Sequence, residues 1–232
     1  MGLSIHYTLQ SAAGTAEQAR KLVEKLRKRA LDLPFAEVGE VVELTGDACN
    51  FETYDGNHPL RWLAVQARQY RERHGTYYPV KPNHAVAFTT YPGEGCEIAN
   101  LGLATYPDTI EVRDATGCSR RLSTGLTGWC WTSFCKTQYA SRHGMEHFLR
   151  CHLCVIRMLD HAKELGVLAN VKDEGGFWDG RDAKALVLKV GEWNEGMARL
   201  VGELEKTFGG TFIAPITEHP EFKARQRKPR SS

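Results

Sequence analysis

The sequence predicts an α+β fold: an antiparallel-rich sheet with about four helices mainly on one face. Three observations lead there. Segments that alternate apolar and polar residues recur as hairpins through the middle of the chain, at 84–91 with 96–105 and at 109–113 with 118–124. Four longer stretches carry apolar residues at helical spacing instead. Two β-α-β units of similar dimensions, 3–9/16–32/38–44 and 131–139/145–165/168–174, suggest two related halves that place their sheets edge to edge. The expected organisation is one domain over 1–220, with a pseudo-repeat relating 1–50 to 128–175 and a basic tail over 221–232.

Each element has a local reason. In LSIHYTL, Leu3, Ile5, Tyr7 and Leu9 share one face, which makes a half-buried strand. Thr15 with Gln18 forms a capping-box signature before Ala16, Ala19, Leu22, Val23, Leu26 and Ala30, so a helix is predicted over 16–32, and Pro34 ends it. VGEVVEL, 38–44, returns as a strand. Asn57 and Pro59 open a helix expected over 58–74, closed by Gly75, with Arg61, Arg68, Arg71 and Arg73 on its outer face. GWCWTSFCKTQYA, 128–140, is the longest strand candidate. Helix 145–165, strand 168–174 and helix 182–208 complete the chain, the last with a seam of Leu186, Val190, Trp193, Met197, Val201, Leu204 and Phe208.

With 232 residues, 42% apolar and 25% charged, the chain has the composition of a globular protein. Its apolar runs are too short to span a bilayer, so no membrane partner is expected. The start, MGLSIHYTLQ, lacks a basic leader and a long apolar run, and reads as a strand rather than a secretory signal. Seven cysteines, an odd number spread irregularly, argue against a disulfide framework and for reduced thiols in the cytoplasm. The net charge of +2 implies no partner by itself. Its distribution leaves two readings for Lys223, Arg225, Arg227, Lys228 and Arg230 in the tail and for Arg61, Arg68 and Arg71: solvated surface that aids solubility, or a contact to nucleic acid or another polyanion.

HGMEHFLRCHLC, 143–154, gathers three histidines and two cysteines. On a helical wheel Phe148, Cys151, Val155, Met158, Leu159 and Ala162 share the apolar side, which places Cys151 in the core. His147 and Cys154 lie on one flank, and His152 on the other. A mid-helix arrangement is not the tight loop that zinc prefers, and no metal site is predicted. As thiol nucleophiles, Cys135 has Lys136 pointing away from it, while Cys96 neighbours two carboxylates that raise its pKa.

The candidate site comes from polar residues at half-buried strand positions. Lys136 and Gln138 stand beside Phe134, and Glu97 and Asn100 lie among small apolar residues, where they must be hydrogen-bonded or face a cavity. A Glu97–Lys136 pair across the sheet is expected. In NVKDEGGFWDGRD, Asp173, Glu174, Asp179 and Asp182 surround three glycines. A divalent cation is one use for them, and capping of the last helix by Asp179 or Asp182 is the plainer one. Trp178 on that loop suits a lid over a pocket or part of an interface.

No dinucleotide, phosphate-loop, zinc-protease, serine-hydrolase or kinase motif is present. The leading expectation is a small-ligand-binding domain with a pocket lined by Glu97, Asn100, Lys136, Gln138, Asp173, Glu174 and Trp178. One alternative is an enzyme with Lys136 or Glu174 as acid or base, with or without the divalent cation. The other is a protein or nucleic-acid interaction module built on the arginine helix and the tail.

Overall fold

A computed structural model of the chain describes residues 3–56, 58–113, 118–208 and 216. The main sheet is antiparallel throughout and runs from the edge strand 168–173 through 4–11, 129–136, 99–105 and 84–91 to 37–38, with 42–45 also pairing 84–91. Its strands are β1 (Ser4–Ser11), β2 (Glu37–Val38), β3 (Val42–Thr45), β6 (His84–Tyr91), β7 (Ala99–Thr105), β10 (Trp129–Lys136) and β11 (Leu168–Asp173). Two small hairpins stand apart, β4 (Gln69–Arg73) with β5 (Thr76–Val80), and β8 (Thr109–Arg113) with β9 (Ser119–Ser123). The helices are α1 (Ala16–Leu31), α2 (Pro59–Ala67), α3 (Met145–Glu164), α4 (Phe177–Gly180) and α5 (Ala183–Phe208). The fold class is α+β, as the sequence predicts.

β1 and β10 form the centre, paired residue for residue from Ser4↔Lys136 to Ser11↔Trp129. α1 lies over β6 and β7, α3 lies against β11, and the two helices touch. Taken as β1-α1-β7 and β10-α3-β11, the elements interleave in the connectivity of a split β-α-β plait. The strand that answers to β11 is therefore β7. Segment 38–44 lies at the far edge beside β6, where it is split into β2 and β3. Between the Val38↔Thr90 and Val42↔Ala87 pairs it carries one residue more than β6, a bulge. Gly39 sits there because a Cβ would stand 2.6 Å from Thr89 Oγ1.

Local chemistry accounts for the helix ends. Thr15 Oγ1 accepts the Gln18 N–H at 3.2 Å, while the Gln18 side chain returns to the Gly14 N–H at 2.8 Å, a capping box displaced by one residue. Asp182 Oδ1 accepts the Lys184 and Ala185 N–H groups at 2.8 and 3.1 Å, so it caps α5. Ala19, Val23, Leu26 and Ala30 of α1 join Val155, Met158 and Leu159 of α3, with Tyr7, Phe88 and Trp131, in one core.

Two predicted elements are corrected. The helix expected over 58–74 ends at Ala67, and 69–80 is the β4–β5 hairpin. His74 and Gly75 both take positive φ, 51° and 77°, which is the two-residue turn that joins twisted antiparallel strands. The β-favouring run Thr76–Tyr77–Tyr78 outweighs the helical spacing before it. The strand expected over 128–140 ends at Lys136, and 138–143 is a 3₁₀ turn that redirects the chain into α3. The link 114–117 of the second predicted hairpin, Asn57 and the basic tail lie outside the described residues.

β6 and β7 approach so closely that a Cβ on Gly102 would stand 2.4 Å from Ala87 Cβ and 2.7 Å from the Val86 carbonyl oxygen. Gly102→Ala is expected to destabilise the chain by about 1–3 kcal/mol through overpacking, read as a lower urea midpoint at unchanged slope.

Candidate functional site

The ladder of β1 ends at Leu3 and Ser4, and side chains take over its backbone groups. The Leu3 N–H donates to Gln138 Oε1 at 2.9 Å, and the Ser4 N–H donates to Glu174 Oε2 at 2.9 Å. The Glu174 N–H returns to the Ser4 carbonyl at 3.0 Å. Gln138, fully buried in the 3₁₀ turn, donates through Nε2 to Asn194 Oδ1 of α5 at 2.9 Å. Asn194 Nδ2 donates to Ser141 Oγ at 3.0 Å, and that hydroxyl donates to the Gln138 carbonyl at 2.7 Å. This closed circuit ties α5 to the start of the sheet.

Beside it runs a second chain. Thr137 Oγ1 lies 2.9 Å from His152 Nδ1, and His152 Nε2 lies 3.4 Å from Asp173 Oδ2. Asp173 also accepts the Gly175 N–H at 2.8 Å and the Trp178 N–H at 2.9 Å. As the carboxylate only accepts, the imidazole proton sits on Nε2 and Nδ1 accepts from the Thr137 hydroxyl. The order hydroxyl, imidazole, carboxylate is that of a hydrolytic triad. Thr137 and His152 are wholly enclosed, so no substrate atom reaches the hydroxyl. The chain fastens β10, α3 and β11 together. Burial pushes the Asp173 carboxyl up, but the hydrogen bond from His152, with the two amides, outweighs it and holds it below the usual range.

The third feature is a seam between β7 and β10. Their ladder shows a single register pair, Cys130↔Ala104, and closes again only where the Glu97 N–H donates to the Lys136 carbonyl at 2.8 Å. Between these points side chains replace strand pairing. The Tyr7 hydroxyl and the Trp131 indole N–H both donate to the Asn100 carbonyl, at 2.7 and 3.0 Å, and the Cys135 thiol donates to the Glu97 carbonyl at 3.1 Å. Ser133 Oγ donates to Gln66 Oε1 of α2 at 2.6 Å. Burial pushes the Tyr7 phenol well above its ordinary pKa, so it stays a neutral donor. Asn100 itself is 1% exposed, and its side-chain oxygen and nitrogen both lack a hydrogen-bond partner among the described residues.

The structure distributes the predicted site residues as follows. Glu97 and Lys136 pair at 3.6 Å as expected, at the end of the seam and partly in solvent, where such a pair contributes about 0–1 kcal/mol. Gln138 does not stand beside Phe134 on a strand; the 3₁₀ turn swings it inward. Asp173 and Glu174 serve the backbone of the 175–178 loop and of β1. Trp178 is half-buried, with the Arg181 guanidinium 4.6 Å from its ring centroid. Asp182 caps α5, and Asp179 is exposed, so the four carboxylates do not converge. Among the described residues no group of three or more His, Cys, Asp or Glu side chains is placed to hold a metal.

The arginine stripe is also corrected. Arg68 lies 4.1 Å over the Phe51 ring and 3.6 Å from Glu52, Arg61 donates to the Tyr54 carbonyl at 3.1 Å, and Arg71, on β4, donates to the Thr124 carbonyl. These guanidiniums hold loops together, and the end of α2 at Ala67 removes them from a common helix face.

Thr137, His152, Asn194, Tyr7, Trp131, Ser133 and Gln66 were not predicted as site residues. His152 alone carried a signal, a polar ring on the flank of an apolar stripe. A scan of protein-family models, a search of curated proteins and a search of solved structures each find no match to this chain.

Asp173→Asn places an amide N–H against an amide donor or the histidine. It is expected to cost about 1.5–3 kcal/mol at pH 7. Because the folded pKa lies below the ordinary 3.8, the carboxylate stabilises above that pH and the benefit is lost as pH falls through the folded value. The gap between wild type and variant in urea melts therefore narrows below about pH 4.

Proposed function

We propose that the chain binds a small polar molecule in the seam between β7 and β10, with the Asn100 amide as the group that recognises it. The observation that carries this reading is the buried, unpartnered amide. Leaving such a group unsatisfied costs about 1–3 kcal/mol, and buried polar atoms in folded proteins are nearly always partnered by protein, water or ligand. The surroundings favour recognition over accident. Tyr7 and Trp131 pin the Asn100 backbone, which fixes the amide in advance, and preorganised polar groups among aromatic rings are the usual makings of a ligand site.

An amide offers one donor face and one acceptor face side by side. With no free charge among the groups that line the seam, the complementary ligand is neutral and presents an acceptor beside a donor, as a primary amide or lactam does. Glu97 and Lys136 stand at the partly exposed end of the seam and are its natural mouth. Binding is favoured over acid–base catalysis because the Glu174 carboxylate is engaged by the Ser4 N–H and Lys136 faces Glu97.

The setting we infer is cytoplasmic, supported by seven free cysteines. No helix among the described residues is long and apolar enough to cross a membrane. A polyanion partner rests on the tail beyond the described residues and gains nothing from Arg61, Arg68 and Arg71.

The deciding variant is Asn100→Leu, of similar shape without the polar atoms. Stability of the ligand-free protein is expected to rise or stay level, because an orphaned amide is removed. Wild type is expected to show a retained mass in native mass spectrometry or a thermal shift with millimolar small amides and lactams, and the variant to show neither. A variant destabilised by more than about 2 kcal/mol means that the amide is already satisfied. A bare native mass with no thermal shift means that water fills the seam. Either result defeats the reading.

A further inference from the structure

The thiols of Cys96 and Cys151 form a site that ligand binding does not use. Cys96 lies in the turn between β6 and β7, held by the bond from its own N–H to the Gly93 carbonyl at 3.0 Å. Cys151 lies on α3 beneath that turn. The two side chains pack in one small cluster, near enough for each thiol to shift the other's acidity, and the Cys151 thiol also lies 3.3 Å from the Pro92 carbonyl, to which it can donate. The turn is built around the contact: a Cβ on Gly93 would stand 2.8 Å from Cys151 Sγ, at a φ of +150° that a side chain rarely tolerates.

The polar surroundings converge on Cys151. His147 Nε2 lies 3.6 Å and an Arg150 terminal nitrogen 3.8 Å from its sulfur. The same guanidinium donates to His147 Nδ1 at 3.2 Å, and a guanidinium has no acceptor. The imidazole proton therefore sits on Nε2, aimed at the Glu94 carbonyl, 2.9 Å away, and at the thiolate. The hydrogen bond from Cys96, with the Nε2–H of His147 and the charge of Arg150 beside it, brings the Cys151 thiol down to about 7 against the opposing effect of burial, while Cys96 is pushed up. Cys135 and Cys154 are raised by burial, Cys154 to about 12, and stay protonated. Of the four thiols, Cys151 is thus the one lowered toward neutral pH, and the other three are raised.

We infer that Cys151 and Cys96 are a reversible redox couple, in which Cys151 reacts with a small hydroperoxide and Cys96 resolves the product as a disulfide between α3 and the β6–β7 turn. The Cys151 thiolate attacks the terminal peroxide oxygen; the S–O bond forms, the O–O bond breaks, and the leaving oxygen takes a proton to depart as water or alcohol. Cys96, as thiolate, then attacks the sulfenic sulfur; the S–S bond forms and hydroxide leaves, taking up the Cys96 proton as water. Two equivalents of a small thiol restore the pair and leave as their own disulfide. Cys151 is enclosed and Cys96 is half-buried, so the oxidant must be as small as hydrogen peroxide. The couple stands on different residues from the Asn100 seam, and either inference survives failure of the other.

The test uses the full chain, reduced, desalted and titrated with hydrogen peroxide, then alkylated and peptide-mapped. Alkylatable Cys96 and Cys151 are both expected to fall at least tenfold, with a Cys96–Cys151 cross-link in the map and full recovery on dithiothreitol. Cys96→Ser should instead accumulate a dimedone-reactive sulfenate at Cys151, and Cys135→Ser should behave as wild type. If both thiols remain alkylatable, or if the link formed joins other cysteines, the proposal is overturned. Should Cys96→Ser fail to fold, the wild-type map decides alone.

Discussion

A strand in the middle of a sheet must find a partner for every backbone N–H and C=O, because water reaches neither side of it. β1 meets that demand from β10 on one edge and β11 on the other. At its first residues the ladder runs out, and the demand passes to the side chains of Gln138 and Glu174. Gln138 is fixed by Asn194, and Asn194 by Ser141, so the backbone of two residues at the start of β1 dictates where α5 docks and how the chain turns after β10. The central position of β1 is thus the constraint from which the polar interior follows.

That interior is high in stakes because low-dielectric surroundings strengthen a satisfied network and penalise a broken one. The Thr137–His152–Asp173 chain is complete and enclosed, and its chemistry is spent on joining three elements. Asn100 is the exception. Its carbonyl receives two donors, whereas its amide receives none. The contrast between a residue whose backbone is held so firmly and whose side chain is left open is the observation on which the proposed site rests. The thiols show the same logic in charge: burial raises Cys135 and Cys154, and only the residue beside Arg150, His147 and Cys96 escapes.

Much of the secondary structure was legible in order and extent. α1, α3, α5, β1 and β11 follow from periodicity and capping alone, since Thr15, Gln18 and Asp182 act within a few residues of where they stand. The misreadings have a common cause. The Arg-rich segment after Ala67 and the segment after Lys136 both continue a plausible local pattern, but a turn at His74–Gly75 and the burial of Gln138 against Leu3 and Asn194 redirect them. The Glu97–Lys136 pair was legible because the hairpin brings both residues to the same end of two neighbouring strands, although Glu97 itself precedes β7. The apolar place of Cys151 was legible too, while Arg150 and His147 curling back over it was not.

By itself the sequence determined the fold class, most element boundaries and the faces that go inward, because those depend on interactions a few residues apart. Tertiary structure alone decided that β7 rather than segment 38–44 completes the first β-α-β unit, that β7 and β10 part around Asn100, and that Cys96 meets Cys151. Each of these joins residues tens of positions apart through packing geometry. Whether a buried polar group is satisfied, and whether a thiol is charged, depends on neighbours that only the folded chain supplies.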